Sequence, residues 1–169
     1  VKSAFFYGYI SEEVYVEQPP GFESHKYTDH VIKLAKALYG LKQALRAWYE
    51  RLNNFLLDKG FSRGKINTTL FKKTKNEDML IVQIYVDDII FGATNENLCK
   101  EFAKDMQGEF EMSMMGELNY FLGLQIKQTN HGIHLNQTKY INDLLKRFEM
   151  ESSKPAVTPM STSIKIDNE

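Results

Sequence analysis

Two adjacent carboxylates, Asp87 and Asp88, stand between two of the most apolar stretches of this chain, Met79 to Tyr85 and Ile89-Ile90-Phe91-Gly92. The flanking runs, rich in β-branched residues, read as strands whose side chains seek burial. Two neighbouring carboxylates repel each other and resist desolvation, so they need free solvent or a cation. Both demands are met when the chain reverses at the pair, as a hairpin with the carboxylates in its turn. A hard divalent ion suits such a pair, since magnesium is commonly held by one or two carboxylates plus substrate phosphate oxygens. Asp is also an ordinary hairpin-turn residue, and spacing alone leaves both readings open.

Around this centre the pattern alternates between strand and helix signals. Ala4 to Ile10 and Val14-Tyr15-Val16 read as an extended pair that ends at Pro19-Pro20-Gly21, and Val31 to Leu34 reads as a further short strand. Beyond Gly40, the residues Leu45, Trp48, Leu52, Phe55 and Leu56 form one face of an amphipathic helix ended by Gly60, with Lys42, Arg46, Glu50 and Arg51 on its other face. Leu70-Phe71 and Met79 to Tyr85 flank a turn at Lys75 to Asp78. Thr94 or Asn95 caps a second helix with Leu98, Phe102, Met106 and Phe110 inward and Glu96 in its first turn. A third hairpin turns at Asn130-His131-Gly132, and Asn136 caps a last helix with Tyr140, Ile141, Leu144, Leu145 and Phe148 inward. From Glu151 the periodicity is lost, giving an extended or mobile tail over 151–169 after a domain spanning 1–150. Hairpins interleaved with helices predict an α+β fold with an antiparallel sheet.

Charge and cysteine content narrow the function classes. Among 169 residues the net charge is only −1, yet residues 1–25 carry −3, residues 26–75 carry +9 and residues 76–169 carry −7. A basic block beside an acidic one suits an anionic ligand next to a cation site, or lysines coating exposed helix faces. The single Cys99 excludes an internal disulfide framework and a structural zinc site, and points to a reducing, cytoplasmic compartment. No apolar run approaches the roughly 20 residues that span a bilayer, so no membrane partner is expected. His131 and His134 lack a third ligand nearby, and no nucleophile elbow, Walker loop or dinucleotide fingerprint occurs. The opening Val1, set directly in an apolar aromatic stretch, reads as the start of a piece of something longer.

At Tyr85-Val86-Asp87-Asp88 the chain resembles the catalytic YxDD box of reverse transcriptases, in the YVDD form of copia-type LTR retrotransposons. Other segments agree in order. Val1 to Phe6 is similar to the end of that family's D-V-K-x-A-F motif, and Val14 to Phe22 to its E-V-Y-x-x-Q-P-P-G-F. Lys36 to Tyr49 is similar to K-A-L-Y-G-L-K-Q-A-x-R-A-W-Y, Gly116 to Ile126 to G-E-L-x-x-F-L-G-L-x-I, and Gln137 to Met150 to the segment that follows.

The resemblance implies a right-hand polymerase palm with partial fingers and the start of a thumb, acting as an RNA-directed DNA polymerase on RNA or DNA template-primer and deoxynucleoside triphosphates. It implies that Asp87 and Asp88 are catalytic and bind two magnesium ions, with manganese as an alternative. Phe5, Tyr39, Gly40, Lys42 and Gln43 would contact the nucleotide. Tyr85, Val86, Arg46 and the Phe121-Leu122-Gly123 segment would contact primer or template. Phe5 and the Phe121 segment also suit ordinary packing. The basic block would bind the template-primer backbone. The remainder of a Pol polyprotein would be its partner, within a cytoplasmic virus-like particle. The sequence departs from the family in three ways. The first-motif Asp would precede Val1, Leu45 replaces a usual Pro, and the upstream fingers, most of the thumb, the connection and the RNase H regions lie outside the chain. The fragment is therefore expected to be inactive alone, and a non-enzymatic retroelement remnant or nucleic-acid-binding module is the alternative.

Overall fold

The structure, a computed structural model, describes residues 1–158. These fall into two compact units, Val1–Met114 and a second that begins at Met115, a division inside the 1–150 span read as one domain from sequence. All strand pairs are antiparallel, giving a mixed α+β architecture.

The first unit is built on a four-stranded sheet in the order β3-β4-β5-β6, comprising β3 (Ser62–Arg63), β4 (Leu70–Lys75), β5 (Asp78–Tyr85) and β6 (Asp88–Ala93). Alternation along β5 sends Leu80, Val82 and Ile84 inward, each fully or nearly buried, and leaves Ile81, Gln83 and Tyr85 on the other face. Two helices close over the inner face. Helix α1 (Ala44–Asp58) buries Ala44, Ala47, Trp48, Leu52, Phe55 and Leu56, and its chain turns away at Gly60, where φ is 83°. Leu45, placed on that inner face by periodicity, is instead half exposed, because the alanines at 44 and 47 shift the buried stripe by one position.

Helix α2 (Glu96–Glu109) begins where the sequence indicates. The Asn95 side-chain oxygen accepts from the Asn97 backbone N–H at 3.0 Å, and Glu96 lies in the first turn. The Asn95 side-chain nitrogen also donates to Asp78 at the start of β5, 3.0 Å away. Replacing Asn95 with Ala removes both contacts and is expected to cost about 1–2 kcal/mol in urea unfolding. Leu98, Phe102, Met106 and Phe110 are buried as predicted, with Phe102 packed edge-on against Phe91 and Phe61.

Periodicity leaves one element of this packing unread. Glu101, Asp105 and Glu109 recur every four residues along α2 and meet three cations from other elements: Lys75 at 3.3 Å, Lys59 at 3.0 Å, and Arg51. This seam joins the basic block directly to the acidic one.

The N-terminal segment departs from its expected conformation. Ala4–Tyr7 forms a short 3₁₀ turn rather than a strand. Ala4 is fully buried in the core, while Phe5 and Tyr7 pack partly against it, which a strand with strict alternation would not allow. The partner of β1 (Tyr15–Val16) is therefore β2 (Ile32–Lys33), through Tyr15↔Lys33 and Val16↔Ile32. Gly8 follows the turn, and a Cβ built there would come within 2.6 Å of the Ala47 and Trp48 backbone. Only glycine allows this segment to lie so close to α1.

In the second unit β7 (Tyr120–Phe121), β8 (Leu124–Thr129) and β9 (Gly132–Asn136) form a three-stranded sheet, followed by α3 (Thr138–Arg147). The N-cap of α3 is Gln137, without a side-chain capping bond, rather than the expected Asn136, which lies one residue earlier and accepts from the Thr138 N–H at 3.2 Å. The inward face expected of α3 is not buried: Tyr140, Ile141 and Phe148 are more than half exposed, and Leu144 and Leu145 only partly covered. Tyr120, Leu122, Ile133 and Leu135 of the same unit are also more than half exposed, so apolar surface lies open on the sheet strands as well as on the helix. Of the tail expected from Glu151, residues 159–169 lie outside the described residues. Among the described residues no helix is long and apolar enough to cross a membrane.

Candidate active site

The β5–β6 hairpin is closed by a two-residue turn, Val86-Asp87, with Tyr85 and Asp88 directly opposite each other. Cross-strand partners share a face, so Tyr85 and Asp88 lie on the face of the sheet away from the helices. Asp87 and Asp88 are both solvent-exposed. The sequence argument is thereby met: apolar strands stay covered while the carboxylates keep access to water or a cation.

Val86 is the unusual residue of this turn. Its φ is 56°, in the left-handed region, at the first central position, where a type II′ hairpin ordinarily places glycine. A β-branched residue there is a genuine outlier. Two hydrogen bonds hold the turn. The indole N–H of Trp48 donates to the Val86 carbonyl at 2.7 Å. The main-chain nitrogen of Val1 donates to the Asp87 carbonyl, also at 2.7 Å. The peptide groups on both sides of Asp87 are thus anchored, one by helix α1 and one by the start of the chain.

Other residues expected to bind nucleotide or nucleic acid fall into three places. Phe5 and Tyr39 come together, their ring centroids 4.5 Å apart, and Phe6 meets the same Tyr39 edge-on at 5.6 Å. Phe5 is half-buried and touches both core clusters, so it packs and also presents surface. Gly40 has φ 91°, in the left-handed region expected of a glycine needed for its backbone, and Gln43 is the N-cap of α1 without a side-chain capping bond. Lys42, expected on the helix face, instead lies in the turn before α1, and it shares a cleft of about 570 Å³ with Arg46 on the exposed side of α1 and with Trp48, Thr69, Tyr85 and Val86. Arg46 is ion-paired with Glu12, and the backbone N–H of Glu12 together with Arg46 holds that carboxyl below the usual carboxylate range.

Phe121, Leu122 and Gly123 belong to the second unit. There Leu122 (φ 49°) and Gly123 (φ 82°) are the two central residues of the β7–β8 turn, with Phe121 paired to Leu124. Positive φ at both positions is the signature of a type I′ hairpin.

The basic block is less available than its charge implies. Five of its twelve cations, Lys33, Arg46, Arg51, Lys59 and Lys75, are ion-paired to carboxylates of the chain. Those without an ion pair among the described residues include Lys42, Arg63, Lys65 and Lys72. Among the described residues no cluster of three or more His, Cys, Asp or Glu side chains could hold a metal ion, so the carboxylate pair stands alone. Trp48 escaped the sequence reading as a site residue, although a buried indole N–H always raises the question of its acceptor.

Comparison with known proteins places these features in context. Residues 1–162 match the model of the family described as reverse transcriptase (RNA-dependent DNA polymerase). The chain is 41% identical over 166 residues to the retrovirus-related Pol polyprotein from transposon RE1 of Arabidopsis thaliana, covering 98% of this chain and 11% of that protein. It is 35% identical to the corresponding polyprotein from transposon TNT 1-94 of Nicotiana tabacum, over 98% of this chain and 13% of the relative. It is 32% identical to a putative transposon Ty5-1 protein of Saccharomyces cerevisiae, over 96% of this chain and 53% of that protein. The chain thus spans about a tenth of the plant polyproteins it matches. No solved structure matches it.

Proposed function

Because this chain belongs to the reverse transcriptase (RNA-dependent DNA polymerase) family, with copia-type retrotransposon Pol polyproteins as its relatives, we propose that it is the palm core of an RNA-directed DNA polymerase, with part of the fingers and the start of the thumb. The observation that carries this reading is the anchored turn, which presents Asp87 and Asp88 to solvent at the end of a rigid hairpin. Hard oxygen donors at an open site fit magnesium, or manganese in its place, because such an ion is completed by substrate phosphates rather than by a full protein cage. Bound there, the ions would supply an activated primer 3′-oxygen and a clamp on the phosphate in an in-line displacement.

The chain's own residues then have distinct tasks. Asp87 and Asp88 hold the cations. Phe5, braced by Tyr39, forms the surface on which the sugar of an incoming deoxynucleoside triphosphate rests. Lys42 faces the cleft beside Tyr85, where a phosphate of nucleotide or template would find an unpaired cation. The Leu122-Gly123 turn supports the primer. The Val1 nitrogen lies against the Asp87 carbonyl, so a residue joined to it would stand beside the carboxylate pair, which is the place this reading gives to the family's first-motif Asp.

Primer extension on poly(rA)/oligo(dT) with magnesium tests the reading. The comparison is between this chain and a version extended upstream through the expected Asp and the fingers. Activity in the extended protein alone is the expected result. A folded, template-binding extended protein without activity would overturn it in favour of a remnant that grips nucleic acid without polymerising.

A further inference from the structure

The turn that presents the carboxylates is held in a conformation its sequence disfavours, and one side chain outside the expected set of site residues does the holding. We propose that Trp48 is a positioning residue for the carboxylate pair: its indole N–H fixes the Val86 carbonyl and keeps Val86 in the left-handed region that sets the direction of Asp87. The proposal rests on the polymerase reading for the purpose of the turn, and on geometry alone for how the turn is held.

Three observations support it. A valine at φ 56° is strained on its own and persists only where surrounding contacts determine it. The hydrogen bond at 2.7 Å supplies such a contact, and it is sheltered, since Trp48 is 1% exposed. The indole has no freedom to leave. Its ring meets Phe110 edge-on at 5.2 Å and Tyr7 at 6.1 Å, and Gly8 packs against its backbone nitrogen. Trp48 thus ties the turn rigidly to helix α1 and to the aromatic core, across 38 positions of sequence.

Such a role couples positions 48 and 86. If Trp48 acts by holding a strained valine, its removal matters only while position 86 resists the left-handed conformation. Glycine at 86 adopts it freely, so Val86→Gly makes Trp48 nearly dispensable for the turn. A tryptophan that merely fills the core shows no such dependence on residue 86.

The experiment uses the whole chain with four forms: unchanged, Trp48→Phe, Val86→Gly and the double variant. Manganese alone is titrated while paramagnetic broadening of the Asp87 and Asp88 backbone amide signals is followed, and ¹⁵N relaxation of residues 85–88 is measured without metal. Trp48→Phe is expected to weaken manganese binding about tenfold and to mobilise the turn. In the Val86→Gly background the same change is expected to shift binding by no more than about twofold.

Equal effects of Trp48→Phe in both backgrounds, or an unaltered turn in its presence, would overturn the proposal. Should Trp48→Phe unfold the chain, β-(3-benzothienyl)alanine at position 48 keeps the bicyclic ring, removes only the N–H and is judged by the same criteria. Should the unchanged chain bind no manganese, the titration is repeated on the version extended upstream through the expected Asp, where absence of binding overturns the metal-site reading, and the relaxation data still decide the role of Trp48.

Discussion

In the protein extended upstream of Val1, Asp87→Asn lowers primer extension by about a thousandfold, with folding unchanged. The magnitude follows from removing one charged ligand of a catalytic cation, whose electrostatic contribution is several kcal/mol at about 1.4 kcal/mol per factor of ten. Folding is spared because Asp87 is exposed in a turn, and such surface changes usually stay within about 0.5 kcal/mol. Asp87→Glu keeps the charge but moves it one carbon outward from an anchored backbone, so partial activity is expected, between that of Asn and the unchanged protein. The assay is steady-state nucleotide incorporation with melting curves taken in parallel. Full activity with Asn at 87 would remove the carboxylate pair from the mechanism.

The second large effect is on stability. Phe110 is 2% exposed and meets three aromatic rings, those of Tyr7, Trp48 and Phe55, all at 5.2 Å. It lies at the end of α2, and the guanidinium of Arg51 stands 5.5 Å from its ring centre. Phe110→Ala opens a cavity where α1, α2 and the N-terminal turn converge, and large-to-small changes of this kind cost about 3–5 kcal/mol. Domains of this size are stable by only about 5–15 kcal/mol, so the variant loses a large part of its margin. Urea unfolding of the whole chain, followed by Trp48 fluorescence, measures it. Because Trp48 leans on Phe110, the same variant is expected to loosen the Val86 turn, whereas Asn95→Ala, at the far end of α2, leaves the turn intact.

Much of this was legible in the sequence for definite reasons. Helices α1 and α2 show long apolar periodicity and identifiable ends, and the β5–β6 hairpin is forced by carboxylates between apolar strands. The aromatic-rich run Ala4 to Ile10 predicts a strand, but at its N-terminal end propensity yields to the burial of Ala4 and the close approach at Gly8. Helix α3 shows the same amphipathic pattern as the other two, but pattern specifies which face seeks cover, not whether cover is present. The candidate site was readable in its carboxylates, because they are local in sequence. Its support was not, since nothing near position 86 signals that an indole at position 48 will be its hydrogen-bond donor. The pairing of Arg46 with Glu12 was hidden for the same reason, and it takes from the basic face a cation the sequence reading assigned to template.

The seam along α2 has a consequence beyond charge balance. Each of its ion pairs is partly exposed and contributes at most about 1 kcal/mol, so added salt should weaken the fold only slightly. Its value lies in discrimination. The narrow stripe of Leu98, Phe102, Met106 and Phe110 already fixes the buried face, since a roll by one residue, about 100°, would swing Glu101, Asp105 and Glu109 toward the core in its place. Under that roll all three acids would leave their cations at once. The seam therefore works as a rotational index that agrees with the core, so a wrongly set helix loses its apolar cover and its three ion pairs together.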